Sequence, residues 1–120
     1  MKNQLNKRAL GAEYEQRAGK YLQAQGYEIL KYNFYSRSGE IDIIAKHKGY
    51  LVFVEVKYRK SDSSGHPLEA VLPSKQRSIC KCALYYMKKH GLEYLPVRFD
   101  VVGIMGDDIQ VIQNAFDFVM

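Results

Sequence analysis

Apolar positions recur at helical spacing in two stretches and at strand spacing in most of the rest. Leu10, Tyr14, Ala18, Tyr21 and Leu22 fall on one stripe and Gly26 follows as a stop, which predicts a helix over residues 11–25. Ile79, Cys82, Ala83, Tyr86 and Met87 form a second stripe, with Gly91 as its C-cap, and predict a helix over residues 74–90. Residues 27–34 are β-branched and aromatic enough for a strand that ends in the turn-like Ser36-Arg37-Ser38-Gly39. Residues 41–45 and 51–58 read as two more strands around the hairpin turn Lys46-His47-Lys48-Gly49-Tyr50, and residues 60–67 as a surface loop. Residues 97–104 are almost continuously apolar, as in a strand buried on both faces, and residues 109–119 suggest one or two further short strands. The order is α-β-β-β-α-β with the second helix as a crossover, so the pattern predicts an α/β fold whose central sheet is flanked by helices.

The 120 residues suffice for a single domain, and 47% apolar with 26% charged residues is the composition of a globular protein. No apolar run approaches the roughly 18 residues that span a bilayer. The opening MKNQLNKRAL carries charge without an apolar h-region behind it, so no secretory signal is expected, residues 1–8 are expected to be flexible, and the chain is expected in the cytoplasm. Net charge is +5 and unevenly spread: residues 1–60 carry +6 and residues 61–120 carry −1. Such asymmetry suits a polyanionic partner such as nucleic acid, and also a protein that is basic for solubility alone.

Cys80 and Cys82 stand two apart in a helical pattern, which excludes a disulfide framework, and no zinc-ligand spacing accompanies them. His47, His66 and His90 fall on a turn, a loop and a helix end, where solvated or capping roles are expected. No phosphate-binding loop, dinucleotide fingerprint or nucleophile elbow is present, so no small-molecule cofactor is expected.

The hairpin carries the chemistry. A turn closing symmetrically on Lys48-Gly49 pairs Ile41 with Val56, Ile43 with Val54 and Ala45 with Val52, a wholly apolar face. The same register sets Asp42 opposite Glu55, and Glu40 opposite Lys57, on the other face. Like charges facing across a ladder destabilise it, so the pair is either a solvated face neutralised by its neighbours or a site for a hard divalent cation, Mg²⁺ or Mn²⁺. With a cation there, Lys57 could steady an attacking water and the charge developing on a phosphate, an arrangement that hydrolyses phosphodiesters. Arg59 and Lys60 after the third strand, with Lys75, Gln76 and Arg77 opening the second helix, could contact phosphate, or be ordinary surface polarity.

Gly39-Glu40-Ile41-Asp42-Ile43-Ile44-Ala45 followed by Val54-Glu55-Val56-Lys57 resembles the PD-(D/E)xK nuclease signature without its proline. With Glu15-x-x-Ala18-x-x-Tyr21-Leu22, Leu68-Glu69-Ala70-Val71, Lys75-Gln76 and Arg98-Phe99-Asp100-Val101, the chain resembles the bacterial YraN family, which is similar to archaeal Holliday junction resolvases. The resemblance implies a restriction-endonuclease-like fold with a mixed central sheet. In it Asp42 and Glu55 hold Mg²⁺ or Mn²⁺, Lys57 assists catalysis, and a glutamate of the first helix reaches the same site. Helical phase selects Glu15, at the border of the buried stripe, over Glu13 near the opposite face. Tyr14 stands where this family often has glycine. The implied activity is cleavage of branched or structured DNA to leave a 5′-phosphate, by a chain able to dimerise; a DNA-binding adaptor that keeps the fold without turnover is the competing reading.

Overall fold

Lys48 and Gly49 both adopt positive φ, 51° and 85°, the conformation of a two-residue turn that suits the twist of antiparallel strands. That turn joins β2 (Gly39–His47) to β3 (Tyr50–Arg59) and sets their register, His47 opposite Tyr50, Ala45 opposite Val52 and Ile43 opposite Val54. β1 (Glu28–Ser36) lies antiparallel to β2 through the tight turn after Ser36. After β3 the chain passes through α2 (Pro73–His90) and returns as β4 (Val97–Met105), parallel to β3, and β5 (Asp108–Phe116) closes the sheet antiparallel to β4. The result is a mixed five-stranded sheet in the order β1-β2-β3-β4-β5, preceded by α1 (Lys2–Ala24). The computed structural model describes residues 2–59 and 71–119, with side chains from Ala9 onward. The expected loop at 60–67, with His66, and the motif residues Leu68, Glu69 and Ala70 lie outside the described residues.

Each helix covers one face of the sheet. Ala18 and Leu22 of α1 pack with Ile43, Ala45, Val52, Val54, Val102 and Ile104. The stripe Ile79, Cys82, Ala83, Tyr86 and Met87 of α2 packs with Ile44, Leu51, Phe53, Phe99 and Val101 on the other face. α1 starts at Lys2, ahead of the expected start, because no proline precedes Gly11 and a lone glycine costs a helix only about 1 kcal/mol. Residues 109–119 resolve into the single strand β5. Among the described residues no helix is long and apolar enough to cross a membrane.

One expectation about faces fails. Ile41 packs with the α2 cluster and Ile43 with the α1 cluster, so alternation along β2 breaks at Asp42. β1 breaks with it: between the pairs Tyr32–Ile43 and Phe34–Ile41, Asn33 takes φ 54°, which sends Tyr32 toward α1 and Phe34 toward α2. Strand periodicity holds only while every residue keeps extended dihedrals, and one left-handed residue ends it.

Toward the end of the sheet that carries Tyr27 and His47 a buried polar network replaces apolar packing. Asp100, fully buried, accepts from Arg98 Nε and Nη2, both at 2.9 Å, from the Tyr27 hydroxyl at 2.6 Å and from the Asn114 amide at 3.0 Å. Arg98 Nη2 also lies 2.8 Å from His47 Nδ1, and the His47 ring stacks on Tyr27 with centroids 3.9 Å apart. His47 is therefore buried, against the expectation of a solvated turn histidine, and burial with the nearby Arg98 charge lowers its pKa. Burial and Asp100 push the Tyr27 hydroxyl up to about 12, so it stays a donor. Removing Arg98 would leave a buried carboxylate without its cation, which costs about 3–5 kcal/mol, whereas removing one hydroxyl costs about 1–2 kcal/mol. Arg98→Met should thus lower the urea unfolding midpoint several-fold more than Tyr27→Phe; equal small shifts would show that the network is not what holds this end together.

Candidate active site

The β2–β3 ladder stops at Ile43–Val54, one residue short of the expected Asp42–Glu55 pair. Where the next main-chain bond would fall, the Asp42 carboxylate takes over, its Oδ2 accepting from the Val56 amide at 2.8 Å. A β3 amide points along the sheet toward β2, so this bond holds the Asp42 carboxylate near the sheet plane, within reach of both faces. Asp42 is accordingly only 9% exposed.

A glutamate approaches it from each face. Glu55 follows Leu51 and Phe53 on the α2 side of β3 and is nearly buried. Burial chiefly, then its hydrogen bond to Asp42 and the Asp42 charge, raises Glu55 to about pKa 8, while Lys75 pulls the other way. Glu15 comes from α1, half-buried, while Glu13 is exposed. Burial and then the Asp42 charge raise Glu15 to about 7, with Glu40 adding to the rise and a hydrogen bond to Asn33 opposing it. Glu15, Glu40 and Asn33 line an open cleft of about 550 Å³ with Gly11, Ala12 and Tyr35.

The basic residues are distributed less simply. Lys57 lies two residues beyond Glu55 on the same side of β3, half-buried and engaged with its neighbours. Lys75, in the first turn of α2, reaches Glu55 with Nζ 3.6 Å from Oε2. The Gln76 amide donates to the Val71 carbonyl at 2.9 Å, which pins the entry to α2, and Arg77 is exposed beside it. Arg59 turns its guanidinium to the Tyr58 carbonyl at 2.7 Å, and Lys60 lies outside the described residues. Leu72 provides no side-chain cap to α2, Pro73 at its start carries no amide N–H, and the first turn holds Lys75 without an acidic residue.

Two residues outside the expected site set shape the site. Asn33 carries the face switch and the hydrogen bond to Glu15; a lone amide within Tyr32-Asn33-Phe34 was its one sequence signal. Tyr14 stacks on Tyr58 with centroids 4.1 Å apart, and Arg17 lies over the Tyr14 ring while donating to the Gly106 carbonyl at 2.9 Å. The bulky residue next to Glu15 thus anchors α1 to β3, and nothing local in the sequence names its partner.

A family model for the uncharacterised protein family UPF0102 matches residues 14–104. The chain belongs to UPF0102. A UPF0102 protein of Lachnoclostridium phytofermentans is 49% identical over 114 residues, covering 94% of this chain and 97% of the relative. UPF0102 proteins of Acetivibrio thermocellus and Persephonella marina are 48% and 45% identical, covering 95% and 89% of this chain and 95% and 92% of their own. This is the family resembled above under the name YraN. Membership in UPF0102 brings no activity with it, so chemistry has to be argued from the site.

Two glutamates beside one aspartate leave the metal-free protein sensitive to pH. Both glutamates bind protons more tightly folded than unfolded, where glutamate titrates near 4.5, so the folded state holds more protons between that value and about 8. Their contribution is complete below pH 4.5 and is lost as pH rises through about 7 and about 8. In EDTA the melting temperature of wild type should therefore fall over this range relative to Glu55→Gln. The comparison with the variant isolates Glu55 from His47, whose lowered pKa acts in the opposite sense, and parallel pH profiles would overturn the assignment.

Proposed function

We propose that this UPF0102 protein is a Mg²⁺- or Mn²⁺-dependent endonuclease-like hydrolase of DNA, acting on branched or otherwise structured DNA. The observation that carries the reading is the Asp42 carboxylate held near the sheet plane between Glu15 and Glu55, in a basic half of the chain, with Lys57 on the same side of β3 as Glu55. Buried carboxylates left with so little neutralisation mark functional sites more often than structural ones.

The donor set fits a hard cation. Asp42 and Glu55 would hold it, with Glu15 beside Asp42, and such cations commonly use one or two carboxylates and take their other ligands from water and phosphate. That economy matters because, among the described residues, no three His, Cys, Asp or Glu side chains form a ready ligand group. When bound, the cation would supply charge neutralisation at the phosphate and a more acidic water. The chain's own part is positional. Lys57 offers an ammonium to the charge that grows on the phosphate, and Glu40 and Asn33 set the orientation of Glu15. Lys75 and Arg77 at the start of α2 would take a neighbouring phosphate. The lack of a three-donor group is also the observation that favours the competing reading, a DNA-binding protein without turnover.

Cleavage decides between them. Purified protein incubated with linear, flapped, forked and four-way DNA in Mn²⁺ should cut at least one branched form, should not cut in EDTA, and should lose cutting by at least about a hundredfold in Asp42→Asn. Binding without cleavage under every condition would establish the adaptor reading instead. Thermal melts test the cation without a substrate: a ligand held only by the folded state adds about 2.7 kcal/mol at a hundredfold excess over Kd. Mn²⁺ should raise the melting temperature of wild type and not of Asp42→Asn; equal shifts in both, or none, would count against a cation held by Asp42.

A further inference from the structure

The face switch at Asn33 has an effect on the outside of the sheet as well as at the carboxylates. β1 is an edge strand, and a second cleft, of about 420 Å³, runs on its α2 side. Asn33 and Tyr35 line both clefts, so the two meet around the edge of β1. Their charges are opposite. The ionisable residues lining the carboxylate cleft are Glu15 and Glu40, whereas those lining the second are Lys31, Lys89 and His90. Between them stands Tyr35, whose aromatic ring is 67% exposed. Lys89 and His90 belong to the last turn of α2 and also complement its dipole. That role does not account for Lys31, which comes from β1, or for the exposed ring beside it.

We propose that this second groove binds single-stranded nucleic acid, carrying an unpaired strand from the carboxylate cleft over Tyr35 to Lys31, Lys89 and His90. The inference deepens the reading of the site as one acting on branched DNA, and rests on it for the direction of the strand. The class of ligand follows from the parts. Cationic side chains of two elements lining one groove suit successive phosphates, and an exposed ring can stack only on a base whose face is not already covered by its neighbours in a duplex. A branched DNA with an unpaired arm presents both.

The test measures binding in EDTA, where cleavage plays no part, by fluorescence anisotropy of a labelled oligothymidine and of a duplex of equal length. Lys31→Glu combined with Lys89→Glu should weaken binding of the single strand by about tenfold or more at low salt and of the duplex by less than about twofold. Tyr35→Ala should weaken single-strand binding about five- to tenfold, and Tyr35→Phe, which keeps the ring, by less than about twofold. All three positions are on the surface, and Lys31→Gln with Lys89→Gln gives a milder second pair should the reversal lower the melting temperature. The proposal is overturned if wild type does not bind the oligothymidine, if the lysine variants bind it as wild type does, or if single strand and duplex lose affinity equally. Groove-dependent binding with no cleavage in Mn²⁺ would sink the hydrolase and keep the groove, whereas cleavage with groove-independent binding would sink the groove alone.

Discussion

The hydrogen bond from the Val56 amide to the Asp42 carboxylate is the constraint around which the site is organised. A buried main-chain donor left without an acceptor costs about 1–3 kcal/mol, so a strand that leaves its ladder must supply a substitute. β2 pairs with β3 only from Ile43 onward, and at Asp42 the substitute is a side chain rather than a carbonyl. That choice places a negative charge inside the sheet. From there it is accessible to Glu55 on one face and Glu15 on the other, which no residue pointing squarely to either face could manage. The group that completes the sheet is thus also the group at the centre of the carboxylate cluster.

Two buried acids of the sheet, Asp100 and Glu55, show the same problem resolved in two ways. Asp100 receives a bidentate guanidinium, a tyrosine hydroxyl and a backbone amide, and the surrounding residues close over it. Glu55 pairs with Lys75 at 3.6 Å, and its neighbour Asp42 carries charge of the same sign. A satisfied network rigidifies and specifies a core, while an under-neutralised one stores affinity for a cation. Arg98 and Asp100 are therefore read as architecture, and Asp42, Glu15 and Glu55 as the place where chemistry is proposed.

Access follows from the same defect. Asn33, opposite the break in β2, turns β1 over as well, and the turned strand presents Tyr35 between an acidic and a basic cleft. Tyr14, stacked on Tyr58, keeps α1 against β3, so that Glu15 stays over the cleft rather than swinging away with the helix.

What could be read from the chain alone was what neighbours in sequence decide. The Lys48-Gly49 turn and period-two alternation determined the hairpin register down to Ile43–Val54, and helical spacing picked out the stripe of α2 and separated Glu15 from Glu13. Each depends on dihedral preference and on residues a few positions apart. Tertiary structure decided the rest. It moved Ile41 to the α2 face, drew Asp42 into the sheet plane, buried His47 against Tyr27 and Arg98, and brought Lys75 to Glu55. These outcomes depend on groups separated by 14 to 51 residues, beyond the reach of any pattern a few positions long. Alternation is a local rule, and it yields wherever a buried amide has to find an acceptor from somewhere else.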